Sequence, residues 1–143
     1  MSLTPTENKL LARRYFDQIL NDGNFSVAET VLASNCIFRN PPIVAHGVNE
    51  FTTVIAGVRA AFPDLHFTIH DEIAEADKVV IRWTVRGTQR GDFLGHPASG
   101  KQIDVTGINI FRIGDGRVQE IWLNMDRLGE AVQLGWIESH WFA

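Results

Sequence analysis

The chain has 143 residues, 45% of them hydrophobic and 21% charged, with a formal net charge of -4. That length suits one domain with a substantial core, and the composition excludes disordered and fibrous classes. With no basic block and a net negative charge, the electrostatic footprint of a nucleic-acid binder is absent.

No apolar run approaches the ~20 residues that span a bilayer, so no membrane role is expected. Cys36 is the only cysteine, which rules out a disulfide within the chain and a cysteine-based metal site. Its setting in "NCIF" makes it a small buried hydrophobe. The segment "MSLTPTENKLLARRYF" carries no secretory apolar stretch, so a cytoplasmic location is expected.

In chain order, the first helix opens at a capping box: Thr4 caps, Pro5 suits the first helical position and Glu7 reaches back. Leu11, Tyr15 and Ile19 share a face, widened by Leu10, Phe16 and Leu20. Gly23 ends the helix. "SVAETVLAS" repeats the signal with Ser26 and Glu29. "CIFRN" reads as a short strand stopped by Pro41-Pro42. A third helix follows, because Phe51, Val54, Ile55, Val58 and Phe62 recur at helical spacing before Pro63.

After Pro63 the period becomes two. Leu65, Phe67 and Ile69 alternate with His66, Thr68 and His70. "AEAD" is a turn and Lys78–Gln89 a long strand. "GDFLGHPASGK" is a Gly/Pro-rich loop, expected as a mobile rim. "QIDVTGINIFRI" and "RVQEIWLNM" form a hairpin about Asp115-Gly116. "GEAVQLG" and "IESHWFA" make a short helical or irregular tail. Helices first and a meander later define an α+β fold, about three N-terminal helices packed on one face of a curved antiparallel sheet, in a single domain over residues 1–143.

The segment "EIWLNMDRLG" carries carboxylates at Glu120 and Asp126, an even spacing that puts both on one face of a strand. If even positions face the helices, Glu120, Trp122 and Asp126 line a pocket. If odd positions do, Ile121, Leu123 and Met125 line it, and it is largely apolar.

Together, "AAFPDLHFTI", "ADKVVIRWTVRGTQRGDFLGHPASGK", "GINIFRIGDGRVQEIW" and "MDRLGEAVQLG" resemble the SnoaL-like polyketide cyclases and predicted ester cyclases of the NTF2-like superfamily. The resemblance implies a cone with a hydrophobic cavity between sheet and helices, and a homodimer made through the outer sheet face. It also implies an acidic residue on the last strand acting in an intramolecular aldol closure. Aligned on Asp115-Gly116 and Gln133-Leu134-Gly135, that acid falls at or beside Leu123, where this chain has none. The family's polar strand residues fall near Gly107 and Asn109, and its polar residue before the early proline falls on Asn40. Gln89 stands where the family pattern often has histidine.

Asp126 is therefore the candidate catalytic acid or base, with an N-cap as its competing role. Glu120 either shares that work or pairs with Arg112 or Arg117 on the surface. The candidate ligand-binding set is Asn40, Asn109, Trp122, Trp83, Arg82, Gln89 and Leu123: amides as polar anchors, tryptophans as apolar walls, and Arg82 as a cavity cation or an outer-face ion-pair partner. The histidines are scattered, so neither a metal nor a cofactor is expected. Two functions stay open. One is an acid/base cyclase, isomerase or dehydratase acting on a small hydrophobic carbonyl compound. The other is a non-catalytic dimeric module that binds a ligand or a protein after losing the cyclase acid.

Overall fold

The computed structural model describes residues 2–138 and 140. Helix α1 (Pro5–Arg14) starts at the expected capping box, with Thr4 and Glu7 exchanging 3.1 Å hydrogen bonds. It then widens into a π-helical segment, Tyr15–Asn21. The wider turn lets the adjacent pairs Tyr15–Phe16 and Ile19–Leu20 all face inward, whereas Leu10 points out at 58% exposure. Leu10 therefore drops out of the expected stripe.

The π segment is fastened at its end. Arg59 Nη1 donates to the carbonyls of Leu20 and Asn21 at 2.6 and 2.8 Å, satisfying groups that a helix end leaves orphaned. The Asn21 side chain bonds both backbone groups of Phe67.

The second helix shrinks to one turn, α2 (Ala28–Val31), after a 3-10 turn at Phe25–Val27. The Ser26 hydroxyl donates to Asn24 instead of capping a helix. The strand that follows is longer than expected, β1 (Leu32–Asn40), and forms a hairpin with β2 (Ile43–His46). Then come α3 (Gly47–Ala61), β3 (His66–Glu75), β4 (Lys78–Thr88), β5 (Gln102–Gly114), β6 (Arg117–Met125) and α4 (Arg127–Gln133). Part of the expected C-terminal tail lies outside the described residues.

The strands form one open sheet in the order β2-β1-β6-β5-β4-β3. Four helices pack on it, in an α+β cone. The sheet is mixed: β1 runs parallel to β6, and every other neighbouring pair is antiparallel. A chain that leaves a helix and pairs with a strand some 80 residues later gives no local sign of its direction.

The inward face is odd-numbered on β4 and β5, where Val79, Ile81, Trp83, Val85 and Ile103, Val105, Asn109, Phe111, Ile113 are buried. On β6 a register shift around Gln119 brings Val118 inward along with Ile121. An aromatic cluster of Tyr15, Phe16, Phe51, Phe67, Trp83 and Phe111 fills the wide part of the cone, with Phe67 and Trp83 edge-to-face at 4.8 Å.

Gly107 is what lets the Trp83 indole lie flat over β5. A Cβ at Gly107 would run into the indole ring. Gly107→Ala should therefore overpack this wall and cost about 1–3 kcal/mol in denaturant-induced unfolding.

Candidate functional site

Between the sheet and the helices lies an internal cavity of about 80 Å³. Its walls come from the π segment (Tyr15, Phe16, Leu20), α3 (Val54, Ile55, Val58), the strands (Phe38, Phe67, Trp83, Val85, Ile103, Leu123, Met125) and Phe93 of the 91–101 loop. This is the odd-parity outcome on β6, so Leu123 and Met125 line an apolar pocket.

Four polar side chains besides Tyr15 reach it: Asn40, Asn109, Arg127 and Glu130. Asn109 is buried, and its Oδ1 accepts a 2.9 Å bond from the Trp83 indole N–H. That bond explains an asparagine in mid-strand: it satisfies an indole that would otherwise be orphaned. The Tyr15 hydroxyl sits beside the same amide, and burial pushes the phenol's pKa up. The Asn40 side chain, 9% exposed, makes no hydrogen bond with the described residues and is open to the cavity.

Glu130 is the carboxylate of this site. It is 3% exposed and lies on the inner stripe of α4, four residues before the buried Leu134. Its Oε1 accepts from Arg127 Nη1 at 3.1 Å, which leaves Oε2 for another partner. Burial raises its pKa above the ordinary 4.5. Attraction to Arg127 opposes that rise, and the nearby Asp126 charge adds to it.

The other expected residues lie elsewhere. Asp126 is exposed and is the N-cap of α4: its Oδ1 accepts from the Gly129 N–H at 2.8 Å, so it does not face the cavity. Trp122 and Arg82 are on the outer sheet face. Arg82 pairs with Asp71 at 2.6 Å across the β3–β4 edge, so it is not a cavity cation. Glu120 is also outside, clamped between Arg39 at 2.6 Å and Arg112 at 3.4 Å, and the Arg39 hydrogen bond holds its carboxyl below the usual range.

Gln89 is fully buried but does not line the cavity. Its amide N–H groups face the carbonyls of Gly91, His96 and Pro97, and its Oε1 accepts from Ser99. Gln89 thus ties the 91–101 loop from within. The loop is further pinned by Trp136, whose ring stacks on His96 at 3.9 Å and meets Phe93 at 5.9 Å. The expected mobile rim is a fastened wall.

Glu130 and Arg127 are not marked by the sequence pattern. The available sign was a carboxylate at i, i+4 to an apolar residue in a short terminal helix. Leu128 masked it, because it looks like the inward residue yet is 46% exposed.

The SnoaL-like polyketide cyclase model matches residues 10–134. The chain belongs to this family. TsrD from Streptomyces laurentii shares the fold at a TM-score of 0.86 and 32% identity, over 95% of this chain and 100% of TsrD. A candidate SnoaL-like polyketide cyclase from Jannaschia sp. CCS1 aligns at 0.83 and 27%, over 94% of this chain and 96% of its own. AclR of Streptomyces galilaeus, a candidate hydroxylase, aligns at 0.82 over 94% of this chain and 99% of its own; at 24% identity it speaks for the fold alone. No curated protein matches the chain. Among the described residues, no helix is long and apolar enough to cross a membrane.

The carboxyl that lines this cavity, Glu130, comes from α4. A carboxyl whose pKa is raised by folding is more easily protonated in the folded state. Its contribution to stability is full below pH 4.5 and is lost as pH rises through the folded value. Glu130→Gln should therefore match the parent's melting temperature below pH 4.5, exceed it as pH rises above 4.5, and hold a constant lead above the folded value. A gap that shrank with rising pH would mean that the Arg127 attraction outweighs burial.

Proposed function

We propose that the protein is an enzyme of cyclase, isomerase or dehydratase type, transferring protons on a small hydrophobic carbonyl compound, with Glu130 as acid and base. The observation that carries this reading is one nearly inaccessible carboxyl set in a cavity whose lining is otherwise mostly apolar. Burial moves such a group's pKa toward neutrality, where one carboxyl can both take and return a proton.

The chemistry balances without a cofactor. Ionised Glu130 takes the proton from the carbon beside the substrate carbonyl, and the C–H electron pair moves into an enolate. Asn40 supplies an amide N–H for the developing oxyanion, and the N–H side of Asn109 is a second polar anchor. In a cyclase, the enolate carbon then attacks a second carbonyl of the same molecule, and Glu130 returns the proton to the new alkoxide. An isomerase returns it to a different carbon, and a dehydratase returns it to a departing hydroxyl. Trp83, Phe67 and Leu123 are the apolar walls that hold the body of the substrate.

The cavity volume of about 80 Å³ is well under the ~300 Å³ at the lower end of drug-sized sites. A single-ring compound is the natural occupant, and a fused-ring one enters by displacing Phe93 and the wall pinned to Trp136.

On an identified substrate, Glu130→Gln should lower kcat by about 10²–10⁴-fold. Asp126→Asn should keep both stability and turnover, because asparagine caps a helix as well as aspartate. Full turnover by Glu130→Gln would overturn Glu130 as the acid and base, whereas ligand binding by the parent with no turnover would favour the non-catalytic binding module. The pH–rate profile should show its acid limb above the ordinary 4.5 of a glutamate.

A homodimer through the outer sheet face belongs to the same reading. Ile73 and Ile108 are exposed there, with half-buried Val80, Ile110 and Trp122 between them. They are ringed by the Arg39–Glu120–Arg112, Arg82–Asp71 and Arg86–Asp104 pairs. An apolar centre with a charged rim is the pattern of an association surface. Sedimentation at micromolar concentration should give a dimer, and Ile108→Glu a monomer. A monomeric parent overturns it.

A further inference from the structure

Arg127 is not satisfied by Glu130. Only Nη1 engages the carboxyl, while Nε is buried and has no hydrogen-bond acceptor. A guanidinium presents Nε–H and Nη2–H as a planar fork that matches a carboxylate with two parallel bonds, and here Glu130 sits on Nη1, outside that fork. Leaving a buried charged donor unpaired is costly, and the usual resolution is a partner. Arg127 and Glu130 both line the cavity, so a group inside it can reach the guanidinium. Among the cavity-lining residues Arg127 is the one cation, and its ion pair with Glu130 uses only Nη1.

We propose that the ligand is an apolar carbonyl compound ending in a free carboxylate, and that Arg127 holds this carboxylate through its unused Nε–H and the adjacent Nη–H. The inference rests on the reading of this cavity as the working site and names its substrate class. The ligand's acid end lies at the α4 side of the cavity and its apolar body against Trp83, Phe67 and Leu123. A ligand carboxylate in the fork leaves Glu130 on Nη1 beside it, with Oε2 turned to the ligand's carbonyl end. Arg127 thereby acts as the specificity-determining residue, separating acids from their esters.

The test is binding, read by titration calorimetry at pH 7. The probes are benzoate, phenylacetate and 2-naphthoate, each paired with its methyl ester. At least one acid should bind below millimolar concentration and roughly tenfold or more tighter than its own ester, the scale of one hydrogen bond to a charged group. Arg127→Gln should bring the acid's affinity down to the ester's and leave the ester's unchanged. Arg127→Lys, which keeps the charge but not the fork, should fall between the two and serves if the Gln variant does not fold. Glu130→Gln should keep the acid preference.

The proposal is overturned if no acid binds, if ester and acid bind the parent equally, or if the Arg127 variants bind the acid as the parent does. Acid preference without loss of turnover in Glu130→Gln would keep the carboxylate site and sink the catalytic reading. The converse would keep the catalysis and sink this proposal.

Discussion

The helices cover the odd-numbered face of β4, β5 and the end of β6, and that parity is the constraint on which the site depends. With a side-chain period of two, a single choice of face sends Trp83, Asn109, Leu123 and Met125 inward and Arg82, Glu120 and Trp122 outward. The bulge near Gln119 matters for the same reason: it switches the inward parity of β6 from even at Val118 to odd from Ile121 onward. Gly107 and Asn109 then work as a pair on β5. One leaves room for the Trp83 indole, and the other accepts its N–H. The cavity's broadest apolar wall is thereby held by a hydrogen bond at its polar end and by packing along its length.

The remaining elements shape the cavity around that wall. The π segment turns two adjacent pairs of large side chains onto the sheet, which an ordinary helix of the same length would spread around its circumference. Arg59 and Asn21 consume the polar groups this segment leaves open, tying it to both α3 and β3. On the far side, Gln89 and Trp136 hold the Phe93 loop closed. The cavity is small because three separately anchored pieces converge on it.

The placement of acid in this family member is the feature with most bearing on chemistry. The strand position that the resemblance marks for an acid holds Leu123, and the two strand-end carboxylates have structural work, Glu120 in an ion-pair cluster and Asp126 at a helix cap. The carboxyl that does enter the cavity comes from a different element, one helical turn beyond Asp126. A carboxylate needs a few ångströms of placement and a suitable surround to transfer protons, not a particular strand. A carboxyl on α4 also has Arg127 beside it, since residues three apart share a helix face.

Much of the architecture was legible in the sequence because its causes are local. The Thr4–Glu7 box, the α3 stripe, the change of period after Pro63 and the Asp115-Gly116 hairpin each follow from a few neighbouring residues, and together they specify an α+β fold, to which the family resemblance adds the cone. Asn109 stands out because asparagine fits a mid-strand position poorly, and Asn40 because the family resemblance places a polar residue before the early proline. What only the tertiary structure decided was long-range: the parallel pairing of β1 with β6, the collapse of the second helix to one turn, and the face of β6 turned inward. Glu130 belongs to that group. In sequence it is one acid in a polar helix beside an apolar Leu128. Its burial is set by how α4 docks on β5, a contact that no local pattern encodes.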